Sequence, residues 1–239
     1  MISTLKRLAG IDTTLASSSH SSVNFNANLP ISVEVLKKLD TLRYRLKLGR
    51  KELTTKSQKQ LLEGEIYWGD FSQGQGGILT LSKLFKQPRL FQEKEFFLDT
   101  HLDEILGQDT FSPRIFKEAL LEAMLNKACE KTLFTTFSYM LLALSKGIVH
   151  LPLRYETRRY LLQWTLENET CSFYAAFENL GPIRGQIQQD SLVIESIYEK
   201  SLFFLEKELP KLDMIATLSL QKEIYPLFDT DKLSLNLKG

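Results

Sequence analysis

The sequence predicts an α+β fold: a small N-terminal β unit, a long central helix or helix pair, and a C-terminal antiparallel β-sheet covered by an amphipathic helix. Three observations predict it. Side chains from Tyr44 onward alternate with a period of two. Residues 112–146 carry an apolar stripe at helical spacing, opened by Ser112-Pro113 and closed by Gly147. Residues 148–197 break into short runs with polar turns, and residues 199–215 return to helical spacing. A chain of 239 residues, 43% hydrophobic and 25% charged, can bury a sizeable core without disulfides or metals. Thirty basic against 29 acidic side chains leave a net charge of +1, which argues against a dedicated nucleic-acid binder.

Residues 13–28 (TTLASSSHSSVNFNAN) cannot bury enough apolar surface to offset their ordering entropy, so a disordered leader over 1–30 is expected. It is either a loose terminus or an unfolded segment that a narrow export channel could thread. After Pro30, apolar Val35, Leu36, Leu39 and Leu42 suggest a short helix over Ile31–Leu42 with Ser32 as its N-cap. Tyr44, Leu46 and Leu48 then face one way, and Arg43, Arg45 and Lys47 the other. Gly49-Arg50-Lys51 turns into a second strand, and Ile66-Tyr67-Trp68 opens a third. Gly74, Gly76 and Gly77 form a loop before Ile78–Leu81. Short strands with tight glycine turns suggest a small barrel or meander. Large apolar side chains from Phe85 to Leu98 pack this unit against the C-terminal part of the chain.

In the 112–146 helix, Leu120, Leu121, Met124, Leu125 and Ala128 form one stripe. The stretch from Phe134 to Leu144 is apolar nearly all round, and that end is expected to be buried. Thr132, Thr135 and Thr136 are weak helix formers and leave room for a break. Strands are expected at 148–153, 159–166, 171–179, 183–188 and 191–197. An amphipathic helix over 199–215 carries Leu202, Phe203, Leu205, Leu209 and Leu212, with Pro210 kinking or ending it. Residues 216–239 make a strand and a tail.

Nothing in this pattern supports catalysis, so a non-enzymatic protein without cofactor or metal is expected. There is no GxSxG and no phosphate-binding loop. The cysteines, Cys129 and Cys171, form no CxxC, and the histidines, His20, His101 and His150, are scattered. A lone His150 between Val149 and Leu151 on a strand is expected to be structural. Arg154, Arg158 and Arg159 beside Tyr155 are a candidate anion patch or an ordinary solvated hairpin. Arg43, Arg45 and Lys47 near Tyr44 and Tyr67-Trp68 suggest a nucleic-acid surface, but the alternation puts Tyr44 on the face opposite the arginines. The longest apolar run, 133–144, is too short to cross a bilayer, and no signal peptide opens the chain, so a soluble cytoplasmic protein without membrane insertion is expected. Residues 41–99 hold eleven basic and seven acidic groups, and residues 100–239 fifteen and nineteen. The two halves either attract one another or present ordinary solvated faces.

Residues 171–215, CSFYAAFENLGPIRGQIQQDSLVIESIYEKSLFFLEKELPKLDMI, run as strand, Leu180-Gly181-Pro182-Ile183, strand, polar turn at Gln188-Gln189-Asp190, strand, then a helix with Leu209-Pro210-Lys211-Leu212. This order resembles the C-terminal domain of flagellar hook-length control proteins. Residues 44–71, containing LKLGRKELTTKSQKQLLEGEIYW, are similar to a small β segment found ahead of that domain in some members. The resemblance covers about half the chain. It implies that Leu180, Gly181, Ile183, Leu209, Pro210 and Leu212 form the domain framework, with the partner surface nearby. It further implies binding to the cytoplasmic domain of a membrane export-gate protein, a part in switching export substrates, and a cytoplasmic site with export through the type III apparatus left open. About 30 unfolded residues reach at most about 100 Å at roughly 3.3–3.6 Å each, so a shortened relative that docks without measuring length is expected. The expected organisation is a leader (1–30), a small β-rich domain with flanking helices (31–106), a helical region (107–147) and a hook-length-control-like α+β domain (148–239). A generic cytoplasmic adaptor and a small-barrel nucleic-acid binder are the alternatives.

Overall fold

In the computed structural model, two sheets stand against one another with three helices at their margins. The structure describes residues 29–57, 59–73, 79–99, 111–126, 129–156, 158–167 and 169–233. The expected leader up to residue 28, the Gly74–Gly77 loop, His20 and His101 lie outside these residues. Leu29 and Pro30 lie within them and are both buried, so the packed chain includes the last two positions assigned to the leader.

The first sheet contains β1 (Ile31–Lys38), β2 (Arg43–Leu48), β3 (Lys51–Lys56), β4 (Ile66–Gln73) and β5 (Leu79–Lys86), in the spatial order β3-β2-β1-β4-β5. All neighbours are antiparallel. The helix expected over 31–42 is instead the central strand β1. Ile31, Val33 and Val35 alternate and are β-branched, which favours a strand, and Val33 and Val35 are fully buried. Leu39 and Leu42, the outer members of the helical spacing, are exposed. Val33, Val35, Tyr44, Leu46, Leu48, Leu61 and Tyr67 form the core on this sheet's packed face.

The second sheet contains β6 (Leu98–Asp99), β7 (Val149–Tyr155), β8 (Arg158–Glu167), β9 (Thr170–Phe177), β10 (Gly181–Gln188), β11 (Ser191–Ser196) and β12 (Ile215–Leu220), in the order β12-β11-β10-β9-β8-β7-β6. The middle is an antiparallel meander, but both edges are parallel: β6 with β7, and β12 with β11. The expected wholly antiparallel sheet is therefore mixed. The parallel pair β11–β12 follows from the crossover through residues 197–214, which carries the chain back to its starting end.

The central helix is a pair: α1 (Pro113–Leu125) and α2 (Lys131–Leu144). Ser112 caps α1, its Oγ accepting from the Ile115 amide. The chain leaves α1 at Asn126 and re-enters at Glu130, both in extended conformation. This break precedes the threonines. Thr135 and Thr136 lie inside α2, their hydroxyls donating to the carbonyls of Lys131 and Thr132. Met140 and Ala143 of α2 are buried, and Met140 packs with Val149, Leu151 and Leu153 of β7. Phe134 is 48% exposed, so α2 is one-sided rather than buried all round.

The expected 199–215 helix is shorter. The helix α3 (Glu199–Glu206) is followed by a 3-10 turn, Leu209–Lys211, with Pro210 in its first positions, and residues from Ile215 belong to β12. Leu205 and Phe204 of α3 face the sheet, while Phe203 points outward with Lys207 4.0 Å from its ring centroid.

Where the two sheets meet, Trp68 of β4 is fully buried between them. Its indole packs edge-on against Phe91 at 5.6 Å, and Phe91 meets Phe97 at 5.4 Å. The indole N–H donates to the Phe177 carbonyl at 2.9 Å. The Tyr198 hydroxyl donates to the Lys83 carbonyl, and Ser32 Oγ to the Glu178 carbonyl. No helix among the described residues is long and apolar enough to cross a membrane.

Candidate protein-docking site

The residues that the expected resemblance singles out converge on one unit: β10, β11, α3 and β12. Leu180 and Ile183 are buried together with Leu192, Ile194 and Leu205, and Leu209 and Leu212 pack partly buried on the same cluster. Pro210 is exposed at the start of its turn. The Ser201 hydroxyl donates to the Leu180 carbonyl at 2.7 Å, tying α3 to the entry of β10. These side chains therefore hold the helix on the sheet; their apolar atoms face inward.

Gly181 opens β10 with φ +73°, in the left-handed region, and the Tyr198 ring lies 2.6 Å from where a Cβ would stand. Both conditions favour glycine. Gly181→Ala is expected to cost about 2–4 kcal/mol, from left-handed strain plus overpacking against the tyrosine. Urea denaturation checks it; a loss below about 0.5 kcal/mol would mean that the ring moves aside freely.

Surface features surround this framework. Ile215 is 76% exposed, Phe203 59% and Leu220 46%. β12 is the sheet's last strand. The Ile215 amide donates to Asp190 and the Gln221 amide to Ser196. With a period of two, the amides of Ala216, Leu218 and Leu220 then point to the open side, the geometry by which an added strand can pair. The sequence signal for this edge was the apolar Ile215 and Leu220 after Pro210. The strand expected from residue 216 covers it, while the expected helix claimed Ile215.

The candidate arginines share a hairpin. Arg154 lies opposite Arg159, and Tyr155 opposite Arg158, across β7 and β8. Arg154 pairs with the Asp99 carboxylate, which holds the Asp99 carboxyl below its usual range and pushes the guanidinium up. Arg159 donates from Nε to Glu178 at 2.7 Å and also bonds the Phe91 carbonyl. Arg154 and Arg159 are thus engaged by the protein's own groups, and Arg159 serves the junction between the sheets.

His150 is buried. Gln163 donates from Nε2 to His150 Nδ1 and to the Phe228 carbonyl, each at 2.8 Å, and its Oε1 accepts from the Phe228 amide. This clamp pins the C-terminal segment to β8. Tyr44, Tyr67 and Trp68 are all buried, so none of these rings is available to stack on a base. Among the described residues, no group of three or more His, Cys, Asp or Glu side chains could hold a metal ion. No family model, no curated protein and no solved structure matches this chain.

Proposed function

We propose that the protein is a non-enzymatic component of the bacterial flagellum that resembles hook-length control proteins. It docks on the cytoplasmic domain of an export-gate membrane protein and influences the switch between export substrates. One observation carries the reading: the order strand, Leu-Gly turn, strand, polar turn, strand, helix, Leu-Pro-x-Leu occurs in a unit whose matching leucines share one core. The exposed side chains on β12 and α3 supply a surface for the partner.

The test is a titration of the full chain with a purified export-gate cytoplasmic domain. Binding is expected to weaken at least about tenfold, or about 1.4 kcal/mol, in Ile215→Asp/Leu220→Asp. Both side chains are exposed, so the melting temperature should stay close to that of the parent. Absence of binding by the parent chain sinks the proposal and leaves the adaptor reading.

A further inference from the structure

A cleft of about 650 Å³ opens where the first sheet meets the end of β12. Its walls come from four places: the end of β3 with the loop after it, the bulged middle of β5, Ile197 just after β11, and the end of β12 with the chain leaving it. Leu81, Leu84, Ile197 and Leu220 give it an aliphatic lining, and Lys56, Lys59, Lys83 and Lys222 bring four ammonium groups. Two of these are committed. Lys59 donates to the Leu84 carbonyl at 2.8 Å, and Lys83 pairs with Glu199 at 3.3 Å. Glu223 is the carboxylate among the lining residues, and it accepts from the Tyr225 hydroxyl at 2.7 Å. Lys56 and Lys222 are exposed and have no carboxylate partner among the described residues.

We propose that this cleft binds an extended acidic segment of another polypeptide, one in which carboxylates alternate with aliphatic side chains. An extended chain places successive side chains on opposite sides, so one set meets the leucines while the other reaches the lysines. Charge complementarity selects the acidic partner. Two features argue against nucleic acid. The chain carries a net charge of only +1. The lining ring, Phe85, is partly buried and packed against Tyr225 at 5.8 Å, so it is no open stacking platform. The cleft shares Leu220 with the surface of the export-apparatus reading, but its test uses no export protein and varies only lysines outside that surface, so the two readings fail separately.

The probe is a fluorescein-labelled peptide of about eight alternating Glu and Val residues, followed by anisotropy with the full chain at low salt. A Lys–Val peptide of equal length is the control. The Glu–Val peptide is expected to bind at least about tenfold more tightly than Lys–Val, and to weaken as salt rises. Lys56→Glu/Lys222→Glu should remove at least about tenfold of that affinity, while Lys117→Glu/Lys131→Glu, the same charge change on α1 and α2, should change it less than about twofold. If the glutamate variant does not fold, Lys56→Gln/Lys222→Gln replaces it, with a loss of about threefold or more expected. Equal binding of the two peptides, or equal loss in both charge variants, overturns the proposal. So does a single-stranded oligonucleotide that binds more tightly than Glu–Val and is lost in the same cleft variant.

Discussion

Trp68→Ala is expected to lower stability by about 3–5 kcal/mol, the range for truncating a large buried aromatic side chain. The indole is fully buried at the seam between the sheets. It joins Phe91, Phe97, Tyr174, Ile197 and Tyr198 in one cluster drawn from both halves of the chain. Removing it leaves a cavity that neither sheet can fill alone, and takes away the donor that reaches the Phe177 carbonyl. The chain has two tryptophans, so the variant keeps Trp164 of β8 as a reporter of the second sheet. Urea unfolding followed by Trp164 fluorescence and by far-ultraviolet circular dichroism should give two midpoints, with the first sheet melting earlier. Trp68→Phe should recover most of the apolar packing but not the hydrogen bond. A single transition shifted by less than about 1 kcal/mol would show that the seam does not depend on this ring.

The second half of the fold was largely legible in the sequence. The strands β7 to β11 lie within a few residues of their expected bounds, because each is framed by a turn that the residues announce: Gly147, Glu167 to Glu169, Gln189-Asp190. The first half was less so. At Ile31–Lys38, a helical spacing over four leucines and valines competed with a strand alternation over Ile31, Val33 and Val35, and burial decided between them. Propensity cannot weigh that choice without the partner strands β2 and β4. A strand was expected from residue 216, but its place at the sheet edge, parallel to β11, was not, for a related reason. Leu209 and Leu212 continue the apolar spacing of α3, but Pro210 places them in a separate turn, and the parallel return to β11 is a long-range pairing. The proposed docking surface and cleft had the weakest signal. The framework residues could be named from their order, yet Ile215, Leu220 and Lys222 become surface neighbours of other segments only through the crossover. The Trp68 seam was visible in part: the large apolar side chains from Phe85 to Leu98 foretold packing between the halves, but not the indole at its centre.

Stability is expected to fall as pH drops below neutrality, and His150 sets the upper part of that window. Burial lowers its pKa from 6.5 to about 3. The surrounding hydrogen bonds point the same way. The Phe228 backbone fixes the Gln163 amide, its N–H donating to Oε1 and its carbonyl accepting from Nε2. The second Nε2 proton therefore faces His150 Nδ1, which must accept. Protonating Nδ1 would set two N–H groups against each other, and Lys146 lies nearby, 5.3 Å from the centre of the Phe228 ring. The folded pKa lies below the unfolded value, so the unfolded chain binds more protons between about pH 6.5 and 3. The neutral ring's contribution is complete above pH 6.5 and is lost as pH falls, at a slope approaching about 1.4 kcal/mol per unit. Carboxylates add their own slope at lower pH, so the difference between two proteins is the cleaner readout. His150→Leu keeps the volume near that of the ring and leaves Gln163 bonded to Phe228. Relative to its own stability at pH 7.5, the variant should lose about 2 kcal/mol less than the parent by pH 5. Parallel pH profiles for the two proteins would mean that the clamp reorganises to solvate the charged ring, and that the strap over β8 opens without unfolding the sheet.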